Sequence, residues 1–303
     1  MHPMHPSAQP LSRTDRERLD AQFRLDRVAD LDGLMQRRQA AARLALDGLQ
    51  CDRALPYAAG AGCTLNLFRP STPGPAPALM FIHGGFWRSL DADLFSFVAP
   101  GFVEAGAAVA VIDYPLIPSV RLADIVDACF AALAFLRREA PALGLDPARL
   151  YACGNSAGGH LVAELLDETS QRQRGLPTGV LAGGCAISGL FDLEPVRLSF
   201  QNDALALTRA EVERHSPLRR PYRPCAPVIA TVGGDEMEEF LDQNRRFAGL
   251  CAGAGAPTLH REEGGMNHIT VVLDALAHPG HGLHQALASL MGLSGSGGRA
   301  PGG

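Results

Sequence analysis

The sequence has 303 residues, 47 % hydrophobic and 19 % charged, which is ordinary globular usage and excludes disordered and fibrous classes. Lys and Arg number 27 against 32 Asp and Glu, a formal net charge of -5 with no long run of one sign, which argues against the clustered basic face that nucleic-acid binding needs. Seven scattered cysteines without a CxxC pair imply neither a disulfide framework nor a zinc site, and a reducing cytoplasm is the expected location.

The amino end, MHPMHPSAQPLSRTDRER, lacks the apolar stretch of a secretory signal, and no later segment approaches the ~18 apolar residues of a membrane span. Residues 1–14 and 294–303 read as untethered tails. With no linker or repeat between them, 15–293 reads as one domain. From Leu19 to Leu49 apolar residues (Phe23, Val28, Leu31, Leu34, Met35, Leu44) recur at helical spacing among charges, an arm of helices that packs on the main body.

After the arm the rhythm changes. Short apolar runs, TLNLF, ALMFIH, AAVAVIDY, RLYACG, VLAGGCAIS, PVIATVGG and TLHREE, predict strands, with helices over Arg121–Glu139, Gly158–Glu168 and Glu236–Gly253 among the segments between them. Continuous apolar strands alternating with helices predict a mostly parallel sheet covered on both faces, with chemistry at the carboxyl ends of its strands.

Four of those ends carry unusual residues. After ALMFI comes HGGFW, where Gly84 and Gly85 leave backbone N–H groups open to an oxyanion. His83 reads as a residue that orients this loop. Phe86 and Trp87 are candidate substrate-pocket residues, with core packing an equal reading for Trp87. After RLYACG comes GNSAGG, a GxSxG turn from strand to helix that would hold Ser156 exposed on a strained corner, with the amide of Ala157 as a further oxyanion donor. A serine nucleophile needs a base, and the base needs an acid that fixes its tautomer. Asp235 follows PVIATVGG and His268 follows TLHREEGGMN, so these are the candidates. Asp192 is the reserve acid. Glu236 and Glu238 would point elsewhere if a helix starts beside them. His278, His281 and His284 lack a carboxylate partner and read as solvated side chains.

Taken in order, HGGFW, GNSAGG, GGDE and MNH resemble the kynurenine formamidase (arylformamidase) branch of the α/β-hydrolase superfamily, close to the hormone-sensitive-lipase-like esterases, over about Leu19 to Leu293. The resemblance implies an α/β fold: a mostly parallel eight-stranded sheet, helices on both faces, and a small lid after strand 6, here about residues 190–222. It implies Ser156 as nucleophile, His268 as base, Asp235 as orienter, and Gly84, Gly85 and Ala157 as oxyanion donors. The family reaction hydrolyses an N-formyl aromatic amine, formate being esterified to the serine on the way. Phe86 departs from the family motif, which often has tyrosine there.

The expectation is therefore a serine hydrolase without cofactor or metal, acting on a small aryl amide or ester, N-formylkynurenine first among named substrates. Its partners would include neither nucleic acid nor membrane, and a homodimer is compatible. A short-chain carboxylesterase is the near alternative. A catalytically silent binding protein of the same fold is the alternative from another class, and it predicts a missing member of the triad.

Overall fold

The computed structural model describes residues 12–293; of the tails expected at 1–14 and 294–303, residues 1–11 and all of the second lie outside them. Residues 13 and 14, expected to belong to the first tail, open a helix instead, because the Ser12 hydroxyl accepts from the Asp15 N–H (3.1 Å) and caps it.

All seven apolar runs form strands: β2 (Thr64–Phe68), β3 (Ala76–Ile82), β4 (Ala108–Ile112), β5 (Leu145–Asn155), β6 (Gly183–Ile187), β7 (Val228–Gly233) and β8 (Thr258–Glu263). A further strand, β1 (Cys51–Pro56), precedes them. The sheet order is β1-β2-β4-β3-β5-β6-β7-β8. The pairs β1–β2 and β2–β4 are antiparallel and the remaining neighbours parallel. Within the central runs the side chains divide by parity. Ala78, Met80 and Ile82 with Ala108, Ala110 and Ile112 join one core, and Leu79, Phe81, Val109 and Val111 join the other. Both faces are therefore dry, which is why these strands show no polar alternation. Each large aliphatic or aromatic side chain so buried contributes about 1.5–3 kcal/mol. The outermost strand β8 is exposed at Leu259, His260 and Glu262, as an edge facing water should be.

The principal helices are α1 (Arg13–Gln22), α2 (Leu31–Gly48), α3 (Leu122–Arg138), α4 (Ala157–Leu166) and α5 (Glu238–Gly253). In the arm, α2 turns Leu34, Ala42 and Ala45 inward, and its Arg37 pairs with Asp274 (2.5 Å) on a segment that follows β8. Leu44, part of the expected apolar face, is 74 % exposed. All of α4 is buried, and it approaches the sheet so closely that a Cβ on Gly158 would collide with the Ile82 carbonyl. The chain after β6, where the lid was expected, folds into three short helices (Glu194–Leu198, Asn202–Leu205, Arg209–His215). This insertion grips the arm: the Phe200 N–H donates to Asp20 (2.8 Å) and the Gln201 amide to the Phe23 carbonyl (3.3 Å). Among the described residues no helix is long and apolar enough to cross a membrane.

Candidate active site

Ser156 sits between the end of β5 and the first residue of α4 with φ 59 and ψ -119, a backbone state that costs a non-glycine residue about 1–3 kcal/mol. The surroundings over-determine it. Its N–H donates to the Ile187 carbonyl of β6 (2.8 Å), its own carbonyl accepts from the His160 N–H (3.0 Å), and Gly154 and Gly158 are pressed so close that neither tolerates a side chain. The glycines around this serine are there because strand, turn and helix occupy the space that side chains would need.

The HGGFW loop lies alongside. His83 is fully buried, its ring stacked on Tyr114 (4.3 Å), and burial pushes its pKa down to about 4, so it is neutral near pH 7. Its Nδ1 donates to the Gly84 carbonyl (2.7 Å). Because the peptide group is planar and trans, fixing that carbonyl turns the Gly85 N–H the opposite way. The orienting role read for His83 thus has a physical form. Among the described residues no backbone carbonyl takes the N–H of Gly84, Gly85 or Ala157 in a loop or turn bond. Those donors remain free, and both glycines share a cavity with Ser156.

His268 follows β8 in a loop that Asn267 fixes by accepting from the Ile269 and Thr270 N–H groups (2.9 and 3.0 Å). Its Nδ1 donates to Oε2 of Glu236 (2.5 Å), not to Asp235. This corrects the expected acid by one residue. After β7 the chain makes a tight turn, the Glu236 N–H reaching back to the Gly233 carbonyl (3.1 Å). That places Asp235 at the exposed tip and folds Glu236 beneath it, and α5 begins only at Glu238, too late to carry Glu236 away. The Glu236 side chain is almost fully buried, and its Oε1 accepts from the Gly233 N–H (2.8 Å) and from Ser188 Oγ (2.5 Å). Asp192, the reserve, is occupied elsewhere: it accepts from Arg219 Nε (2.5 Å).

Ser156, His268, Gly84 and Gly85 line one cavity of about 150 Å³, completed mainly by Leu25, Leu31, Met35, Phe95, Phe97 and Val272. Among the hydrogen bonds of the described residues none joins Ser156 Oγ to the imidazole; such pairs commonly tighten only when substrate binds. Neither Phe86 nor Trp87 lines this cavity, which overturns the pocket reading for Phe86 and leaves core packing, the equal alternative, for Trp87. Both adopt left-handed backbone angles (φ 50 and 57), and the turn sends Trp87 into the core, edge-on to His160 (5.2 Å), and Phe86 against Phe23 (6.3 Å). Nor does the insertion after β6 supply a wall; the arm does. One of its residues, Arg38, also lines the cavity and was not singled out in the sequence, because a charge on an amphipathic helix reads as solvated. Of the remote histidines, His284 is not solvated as expected but buried against Phe102 (4.1 Å).

A family model described as alpha/beta hydrolase fold matches residues 79–272, a span that holds Gly84, Ser156, Glu236 and His268. The chain is an α/β hydrolase. Over 246 residues the hydrolase is 24 % identical to the kynurenine formamidase of Danio rerio, covering 79 % of this chain and 82 % of that one. It is 25 % identical over 229 residues to the isoprenylcysteine alpha-carbonyl methylesterase ICME of Arabidopsis thaliana, 68 % of this chain and 54 % of that one. Its fold matches a hyperthermophilic esterase from the archaeon Pyrobaculum calidifontis with a TM-score of 0.70 at 19 % identity, over 94 % of this chain and all of that one. These similarities fall in the same branch that its four motifs resemble.

Proposed function

We propose that this hydrolase uses Ser156 as a nucleophile to remove a small acyl group from an aryl formamide or aryl ester. The observation that carries the proposal is the buried His268–Glu236 pair on the wall of the cavity that holds Ser156. With Nδ1–H committed to Glu236, the Nε2 of the imidazole takes the hydroxyl proton as Oγ attacks the carbonyl carbon. The negative charge that develops on the carbonyl oxygen is met by the free N–H groups of Gly84, Gly85 and Ala157. His268 returns the proton to the departing amine or phenol, leaving an acyl-serine. Water, deprotonated by the same imidazole, then releases the acid and restores the serine.

N-Formylkynurenine is the substrate that this reading favours. The cavity is lined mainly by apolar and aromatic side chains, which suit an aryl ring, and the similarity to the zebrafish kynurenine formamidase spans most of both chains. A general short-chain carboxylesterase is the second reading, favoured by the similarity to the plant methylesterase. Seven free cysteines suit a cytoplasmic setting. Labelling by a fluorophosphonate, present in the wild type and lost in Ser156→Ala, tests the nucleophile; a wild type that never labels would favour a silent binding protein. Comparing turnover of N-formylkynurenine with 4-nitrophenyl acetate and butyrate separates the two enzyme readings. Hydrolysis of butyrate with none of the formamide refutes the first.

A further inference from the structure

The serine cavity is largely apolar, yet the arm brings a guanidinium to it. Arg38 of α2 is 9 % exposed, lines the cavity with Ser156 and His268, and has no hydrogen-bond partner at Nε. No hydrogen bond or ion pair of its guanidinium is found among the described residues. The carboxylate that acts on it most, Asp91, is exposed and accepts from the Leu94 N–H (2.9 Å). The face of Phe95 supports the guanidinium at 5.3 Å from the ring centroid, which steadies a cation without neutralising it. A buried charge with no carboxylate in direct contact is costly to keep, and arginine cannot escape the cost by losing its proton. Its donors form a fork that matches the two oxygens of a carboxylate.

Resting on the reading of Ser156 as nucleophile, we propose that Arg38 is a specificity-determining residue that receives a carboxylate carried by the substrate, so that the hydrolase selects anionic aryl amides and esters over neutral ones. The shared cavity makes this geometrically direct. A one-ring substrate with its acyl carbon at Ser156 lies against the apolar lining, and a carboxylate on that ring or on its short side chain completes the wall at Arg38. The anion also takes up the donors that the fold leaves open, so its binding is favoured by charge and by hydrogen bonding together.

The test uses the 2-, 3- and 4-acetoxybenzoates and their methyl esters, pairs that differ only in charge, so that a carboxylate is offered in three directions. Wild type is expected to show kcat/KM at least tenfold higher for one or more acids than for its methyl ester, mainly through KM, with the advantage falling as salt rises. Arg38→Met is expected to lower kcat/KM for that acid at least tenfold more than for its ester, and Arg38→Lys to retain part of the preference. Should Arg38→Met fail to fold, salt-dependent competitive inhibition of methyl-ester hydrolysis by benzoate, weaker in Arg38→Lys, reads the same contact. A wild type that prefers no acid by more than threefold, or a loss in Arg38→Met that is equal for acid and ester, overturns the proposal and leaves Arg38 a structural support for Phe95. Hydrolysis of the neutral esters and its loss in Ser156→Ala report separately on the nucleophile. If no ester is cleaved, the catalytic reading falls, and benzoate binding to wild type against Arg38→Met by calorimetry still decides the anion site.

Discussion

Glu236→Gln removes a charge while preserving shape, and the structure dictates how the new amide must sit. The Gly233 N–H is fixed by the backbone and points at Oε1 (2.8 Å), so the amide oxygen has to stay there. The Ser188 hydroxyl can rotate to suit, but the amide NH2 is then left facing His268 Nδ1, which must become an acceptor. The imidazole proton moves to Nε2, the nitrogen that should take the proton from Ser156. A wrong tautomer of this kind costs about 10⁴ in kcat, or about 5 kcal/mol of transition-state stabilisation at 1.36 kcal/mol per tenfold. Asp235→Asn changes an exposed side chain and should stay within about threefold of wild type, because its fixed contact is a backbone N–H to Met266 (3.0 Å). The assay is kcat/KM on a chromogenic acetate ester near pH 8, with thermal melts to verify that both variants are folded. A folded Asp235→Asn variant that loses a hundredfold or more, beside a Glu236→Gln variant that loses less than tenfold, would refute the assignment of the acid.

Two other outcomes follow from the packing and the buried histidines. Gly158→Ala forces a methyl into the Ile82 carbonyl and should cost about 3 kcal/mol, whereas Gly249→Ala, on the open face of α5, should gain up to about 1 kcal/mol from helix propensity; denaturant titration compares them directly. His83 and His160 are both held down to about 4 by burial, so each is neutral in the fold while the unfolded chain, near 6.5, still takes up a proton. Stability must therefore fall as pH drops from about 6.5 towards 4, by about 3 kcal/mol for each histidine once fully developed. Urea unfolding midpoints that stay level between pH 7 and pH 4.5 would contradict this.

The sheet was legible because its inner strands are buried on both faces, which writes most of them as uninterrupted apolar runs; β8, an exposed edge, was read from TLHREE all the same. β1 escaped notice for the opposite reason: CDRALP is an edge strand whose register shifts between Asp52 and Leu55, so no period survives in its side chains. Ser156 and the glycines of HGGFW were legible because tight turns admit few residue types. The acid was misplaced by one position because GGDE offers two adjacent carboxylates, and only the path of the backbone after β7 decides which one turns under. The cavity wall was the least legible part. Leu25, Leu31, Met35 and Arg38 lie more than a hundred residues before the serine, on an amphipathic segment whose inward face looks like any other. Nothing local marks a helix that packs on the mouth of a site rather than on the body of the sheet.

That division of labour has a practical consequence. The residues proposed to break bonds follow the ends of β3, β5, β7 and β8, while much of the wall of the cavity beside Ser156 is supplied by a separate stretch at the amino end of the chain. Selectivity is thus detachable: exchanging residues 13–49 between homologous enzymes should transplant preference without rebuilding the reactive core, and anything fused just ahead of Ser12 is joined to the element that shapes the binding chamber.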